Sequence, residues 1–297
     1  VAGPPGEVEQ PRLKVAALPS AEVAALQLAI DEGYMRKAGI PDVEVVPVGS
    51  DQEATDGLVG GSFDVAFSSY IPFIRAHATK TADLRIVSDN SSATPRTAVL
   101  AAPSGSGVQQ LKDLEGKRIA VPEAGTLAEL MVKSTLTDRS VDVSRIRWVP
   151  VASPDMAAAL VRGQADAAMM VEPYITDAAR LGIVPMADLA TGPLQDLPST
   201  GFAMMAKFAA AKPKTVAAFQ RAMVAAARQA NEDRRPVQLL VSQLTQVSAD
   251  VATMMAMPRF GATLSARRVQ RVSDLMLRYG LLQQPFDVAP MLLPSAQ

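Results

Sequence analysis

Apolar and polar positions alternate along this chain in short blocks, and each block predicts one element. Lys14-Val15-Ala16-Ala17-Leu18 reads as a short buried strand that Pro19-Ser20 breaks. Ser20 suits the N-cap of a helix over 21–37, in which Val23, Leu26, Ile30 and Tyr34 keep helical spacing, and Gly39 stops it. A second strand follows over 43–48, then a Gly49-Ser50-Asp51 turn, a short helix carrying Leu58, and a third strand over 64–68. The same order returns later: strand 118–122, helix 127–136, strand 146–151, a helix opened by Ser153-Pro154, and strand 166–170. The two passages also share a frame, L-V-x-G-x-x-D-x-A, written at Leu58–Ala66 and again at Leu160–Ala168. Gly61 and Gly163 lie 102 residues apart, too far for a solenoid repeat and suited to two similar lobes.

Strands and helices alternating at this spacing predict parallel sheets with helices on both faces, hence an α/β protein with two doubly wound sheets. The apolar stretches 97–102 and 199–204 flank the second copy and are expected to be the two crossings of a two-strand hinge. Lobe 1 would then comprise 12–98 and 203–297, lobe 2 would comprise 99–202, and residues 1–11, with three prolines and two glycines, would be a tether. The last ninety or so residues predict helices over 216–229, 237–244, 249–255 and 265–279.

Composition narrows the function classes. A net charge of −1 without a basic tract gives no reason to expect nucleic acid or an anionic membrane surface. The absence of cysteine removes disulfides, thiol nucleophiles and cysteine metal sites, and a single histidine, His77, removes most zinc and triad arrangements. No cofactor is expected. The chain shows no signal peptide, which fits either a cytosolic protein or one whose leader has been removed. Gly105-Ser106-Gly107 completes no nucleotide fingerprint. Asp64 and Asp166 resemble a carboxylate pair, but their equivalent places before a buried strand fit turn capping better than catalysis.

In open α/β sheets ligands lie beyond the carboxyl ends of the strands. Six loops are expected there: 19–22, 49–51, 68–71, 123–127, 152–155 and 172–174. Several of them open helices, whose free N–H groups suit an anion. Gly125-Thr126 is the foremost of these, although Thr126 capping its own helix is the plainer reading.

Several stretches together carry a resemblance: Gly61-x-x-Asp64, Asp113-Leu114-x-Gly116-Lys117-x-Ile119-Ala120-Val121, Gly163-x-x-Asp166-Ala167-Ala168 followed by Glu172-Pro173-Tyr174, and Arg271-x-x-x-Leu275-Met276-x-x-Tyr279-Gly280-Leu281-Leu282. Over roughly 12–290 the chain resembles the periplasmic solute-binding proteins of the sulfonate, nitrate and thiamine-precursor group, the receptors of ABC importers. The resemblance implies a type II periplasmic-binding-protein fold closing on a small solute, a cleaved leader, an extracytoplasmic place with a possible lipid anchor, and an ABC permease as partner. A monomer is expected, since both lobe rims must reach the permease.

By the same resemblance Glu172 and Tyr174 line the ligand site. Ser68, Ser69 and Tyr70 hold the matching place in the first copy and offer hydroxyls and a ring, with turn chemistry and packing as the alternative. Leu18, Pro19 and Ser20 form the first loop, which carries no aromatic clamp. Asn90 and Ser91 follow an apolar run, Arg96 could grip a carboxylate or sulfonate or sit at the surface, and Phe202 with Pro198-Ser199-Thr200 is expected as part of the wall. The favoured solute is a sulfonate or carboxylate. A dehydratase of the same fold using Asn90, and a sensor that binds without transport, are the alternatives.

Overall fold

A computed structural model describes residues 7–296. It contains two compact units. Unit 1 takes its described residues from 7–92, 198–244 and 259–296, and unit 2 comprises 93–197 and 245–258.

The sheet of unit 1 contains β1 (Arg12–Ala17), β2 (Asp42–Pro47), β3 (Val65–Ser69), β4 (Leu84–Ser92), β10 (Pro198–Met205) and β11 (Arg259–Phe260), in the order β11-β4-β10-β3-β1-β2. β1 pairs in parallel with both β2 and β3, whereas β10 runs antiparallel between β3 and β4. β3 and β4 therefore point the same way as β1, and all four parallel strands end on one edge. Leu13, Val15, Ala16, Val65 and Ala66 are buried, as central strands covered on both faces require. Helices α1 (Ala24–Asp31), α2 (Tyr34–Ala38), α3 (Asp51–Val59) and α4 (Tyr70–Ala78) follow the strands. The single helix expected over 21–37 is instead a 3-10 turn (Ala21–Val23) and two helices, because Gly33 adopts φ 77° and interrupts the α ladder.

The sheet of unit 2 repeats the plan. Its strands are β5 (Ala98–Pro103), β6 (Arg118–Val121), β7 (Arg147–Pro150), β8 (Ala167–Val171) and β9 (Ile183–Asp188), in the order β7-β6-β8-β5-β9. β6 pairs in parallel with β7 and β8, and β5 is antiparallel to both β8 and β9. Each sheet thus has three adjacent parallel strands followed by an antiparallel one. The sheets are mixed, not wholly parallel as the spacing predicted. Helices α5 (Leu127–Asp138), α6 (Met156–Val161) and α7 (Tyr174–Ala178) connect the strands, and Met156, Leu160, Met170 and Ile183 pack in the core.

The stretches expected as crossings form β5 and β10, each inside one sheet. The chain changes unit at 92/93 and 197/198, and again at 244/245 and 258/259. The second excursion carries α11 (Ala249–Met254) and has no counterpart in the sequence reading. The remaining helices are α8 (Ala206–Ala211), α9 (Pro213–Glu232), α10 (Arg234–Thr245) and α12 (Ala266–Arg278). α9 packs on α1, α2 and β4. Of the expected tether, residues 1–6 lie outside the described residues. The rest is docked: the Glu9 carboxylate accepts from the backbone N–H of Lys214 at 3.1 Å and Thr215 at 2.8 Å, and Val8 is buried. That places a carboxylate on the first turn of α9, where free N–H groups and the helix dipole favour it and hold its pKa below the ordinary range.

Candidate functional site

The duplicated Asp64 and Asp166 have duplicated jobs. Asp64 Oδ2 accepts from the N–H of Lys14 at 2.8 Å, and its own N–H donates to the Lys14 carbonyl at 2.9 Å. Asp166 does the same with Arg118, at 2.9 Å both ways, and adds a guanidinium contact at 3.2 Å. The Arg118 partnership holds the Asp166 carboxyl below its usual pKa. Each aspartate locks its third strand to its first, on the side of the parallel strands' amino ends and so away from their carboxyl edge.

At the carboxyl edge of unit 1 the ends of β1, β3 and β4 meet the start of β10, since antiparallel pairing sets Thr200 opposite both Ser69 and Ser91. Asn90 and Ser91 lie there, at the end of β4. Asn90 Nδ2 donates to the Glu22 carbonyl and to Thr200 Oγ1, both at 2.9 Å. Ser91 Oγ donates to Glu22 Oε1 at 2.7 Å and lies 2.5 Å from Thr200 Oγ1. Burial raises the Glu22 pKa; Ser91 and Ser199, bonded to its carboxylate, lower it, and Asp51 and Asp89 add to the rise. The first loop lies beside this group: Leu18 and Ser20 are half-buried and Pro19 is exposed. Ser20 stands at the N-cap position without a side-chain cap bond. Ser69 caps α4 by position, and its N–H donates to Asp51 Oδ2 at 3.1 Å. Ser68 is buried and donates to the Ser69 carbonyl.

Two expected contacts lie deeper. Tyr70 is fully buried and donates its hydroxyl to Asp89 Oδ1, so its ring offers no stacking face. Burial, with the Asp89 charge, raises its pKa well above the ordinary value. Asp89 Oδ2 pairs with Arg268 Nη1 at 2.9 Å, and Arg268 Nη2 donates to Ser92 Oγ. Burial pushes the Asp89 carboxyl up to about 6 against the pull of Tyr70 and Arg268. Phe202 is fully buried between Phe67 and Phe219, at 5.4 and 5.2 Å between ring centroids, and is core, not wall.

In unit 2 the expected residues also reach the carboxyl edge, but their polar groups are largely engaged. The Glu172 carboxylate accepts from Thr176 N–H at 3.0 Å, Thr176 Oγ1 at 2.7 Å and Ala256 N–H at 3.2 Å. It caps α7 and ties down the 245–258 excursion. Tyr174 is half-buried against the unit 2 core, and burial raises its pKa. Gly125, at φ 70°, donates its N–H to Glu129 Oε2 at 2.5 Å, so a carboxylate of the helix it opens takes that amide. Thr126 does not cap α5; its hydroxyl donates to the Glu123 carbonyl at 2.7 Å. Arg96 has φ 71° and an exposed side chain, while its N–H donates to Asp188 Oδ2 at 2.7 Å. His77 lies in the last turn of α4 with its Nδ1 3.7 Å from Asp83. Among the described residues no group of His, Cys, Asp and Glu is placed to hold a metal.

The sequence reading missed Asp89 and Arg268; it had Glu22 only as the last residue of the first loop and Thr200 only as part of the wall. Glu22 follows an N-cap serine by two positions and reads as an ordinary first-turn acid. Its meeting with Ser91 across 69 residues has no local signal.

The model of one family, described as NMT1/THI5 like, matches residues 20–235. The chain belongs to the NMT1/THI5-like family. No curated protein matches it. Solved structures share the fold of this NMT1/THI5-like protein. The alkanesulfonate-binding protein SsuA from Xanthomonas axonopodis pv. citri, bound to MOPS, has a TM-score of 0.83 at 22% identity, covering 97% of this chain and 99% of that one. The periplasmic nitrate-binding protein NrtA from Synechocystis PCC 6803 has a TM-score of 0.81 at 16% identity, covering 95% and 85%. The desulfurization enzyme DSZB has a TM-score of 0.69 at 19% identity, covering 95% and 96%. Binding proteins and an enzyme thus share the architecture, and the choice between them rests on the site.

Proposed function

We propose that this chain is the extracytoplasmic solute-binding receptor of an ABC importer, closing its two lobes on a small organic anion or zwitterion and delivering it to a membrane permease as a monomer. The observation that carries the reading is the doubled α/β unit, in which each copy brings polar side chains to the carboxyl edge of its parallel strands. Membership of the NMT1/THI5-like family supports it. So does the likeness to proteins described as alkanesulfonate-binding and nitrate-binding. Among the described residues no helix is long and apolar enough to cross a membrane.

The likeness to DSZB favours a second reading, an enzyme on the same fold. The residues support it less. Asp64 and Asp166 are spent on strand ends, and the Asn90 amide nitrogen is committed to two acceptors. A thermal-shift screen of sulfonates, nitrate, pyrimidines and aromatic carboxylates tests the receptor reading, since a solute that binds the native state raises Tm by mass action. Shifts from nucleotides or metal ions alone would overturn it, and turnover of a bound solute would establish the enzyme.

A further inference from the structure

The hydrogen bonds around Glu22 run in one direction. Ser91 has one hydroxyl proton and gives it to Glu22 Oε1 at 2.7 Å. The 2.5 Å contact between the Ser91 and Thr200 hydroxyls must then be donated by Thr200. Thr200 Oγ1 in turn accepts from Asn90 Nδ2 at 2.9 Å, and the other Nδ2 proton goes to the Glu22 carbonyl, also at 2.9 Å. That carbonyl can only accept, which fixes the Asn90 amide the right way round. Ser199 adds a further bond to the Glu22 carboxylate. The donors of Ser91, Thr200 and Asn90 are therefore consumed inside the cluster, in a chain that ends on Glu22.

What remains is acceptor capacity. A carboxylate has about four lone-pair sites. Asn90 Oδ1, on a residue only 1% exposed, has no hydrogen-bond partner among the described residues. The charge balance agrees. The acids acting on Glu22 are Asp51 and Asp89, and Asp89 is matched by Arg268. Two amides that open helices on this edge are taken by the protein's own carboxylates: Ser69 N–H by Asp51 at 3.1 Å, and Gly49 N–H by Glu53 at 2.7 Å. A sulfonate, nitrate or carboxylate set against Glu22 and Asn90 Oδ1 would bring acceptors to acceptors.

We propose that Glu22, oriented by Ser91 and backed by Asn90 Oδ1, receives an ammonium or amino group of the solute, so that the ligand of this receptor carries N–H donors and is not a simple anion. The proposal rests on the solute-receptor reading above and specifies its ligand class. The Glu22 carboxyl group, held by the Ser91 hydroxyl at 2.7 Å, presents its remaining acceptor sites to a positive group in a desolvated setting, where a charge-assisted hydrogen bond is strong and the incoming charge favours the carboxylate form. Acceptor-only solutes find no complement there and are rejected, because the buried acceptors stay unpaired.

The test is a calorimetric and thermal-shift comparison of matched pairs differing only in the nitrogen: 2-aminoethanesulfonate and ethanesulfonate, amino acids and their deaminated acids, aminopyrimidines and the parent pyrimidines, with nitrate as an acceptor-only probe. Binding is expected from nitrogen-bearing members alone, and Glu22→Gln is expected to lose at least tenfold in affinity. Ser91→Ala, which releases the carboxylate without removing it, is expected to lose less. The apo Tm of Glu22→Gln, expected at or above the parent's because a desolvated charge has gone, reports folding separately. Equal or tighter binding of the nitrogen-free members, or an unchanged affinity in well-folded Glu22→Gln, overturns the inference and leaves the receptor reading intact. A panel in which no member binds overturns the receptor reading and the inference with it.

Discussion

Asp89 makes a quantitative prediction about stability and pH. Its side chain is 4% exposed, bonded to the Tyr70 hydroxyl and paired with Arg268, and burial still lifts its carboxyl from an ordinary 3.8 to about 6. At about 1.4 kcal/mol per pH unit, that gap corresponds to about 3 kcal/mol. The folded state binds this proton more tightly than the unfolded chain does. The stabilisation is therefore fully present below 3.8 and is lost as pH rises through about 6. The assay is urea unfolding of the parent and Asp89→Asn across this window. Asn keeps the shape and cannot titrate, so subtracting the two curves cancels the carboxylates that do not interact with Asp89, and a Glu22→Gln background removes the one that does. The parent should lose about 3 kcal/mol relative to the variant between the acid and neutral ends. A difference that stays flat would mean that Asp89 titrates normally. A difference that grows in the parent's favour as pH rises would mean that Arg268 outweighs burial, and either result refutes the reasoning.

Two further outcomes follow from packing. A Cβ on Gly201 would lie 2.7 Å from the Tyr70 hydroxyl oxygen and 3.0 Å from the Ser88 carbonyl, so Gly201→Ala should push Tyr70 off Asp89 and cost about 1–3 kcal/mol in urea unfolding. An unchanged midpoint would show that the ring has room to move. Glu172→Ala leaves the N–H groups of Thr176 and Ala256 without their acceptor, at a cost of about 1–3 kcal/mol, and hydrogen exchange at those two amides should accelerate. If they stay protected, Glu172 does not tie the excursion down.

Much of the fold could be read from the chain because its signals were local and repeated. The L-V-x-G-x-x-D-x-A frame marks a helix, a left-handed glycine and an aspartate that returns to the first strand. Gly61 and Gly163 have φ of 83° and 68°. The antiparallel strands were harder. β5, and β10 from Phe202 on, are apolar without alternation because both faces of each sheet are covered, so their pattern carries no sign of direction or exposure. Phe202 was misplaced for the same reason. The site was legible where side chains lie beside a strand end, as at Asn90 and Ser91, and hidden where two distant segments meet. Thr200 reaches Ser91 only through a register shift between β10 and β4, which no window of sequence records.

Several helix starts in both units hold an acidic side chain of the same protein on their amides, among them Glu53 on Gly49, Glu129 on Gly125 and Glu172 on Thr176. Each acts as a tethered competitor at high effective concentration. An acid arriving from solution would have to evict one of these residents and leave it seeking another partner, which handicaps anions drifting past without disturbing a solute that enters by another door.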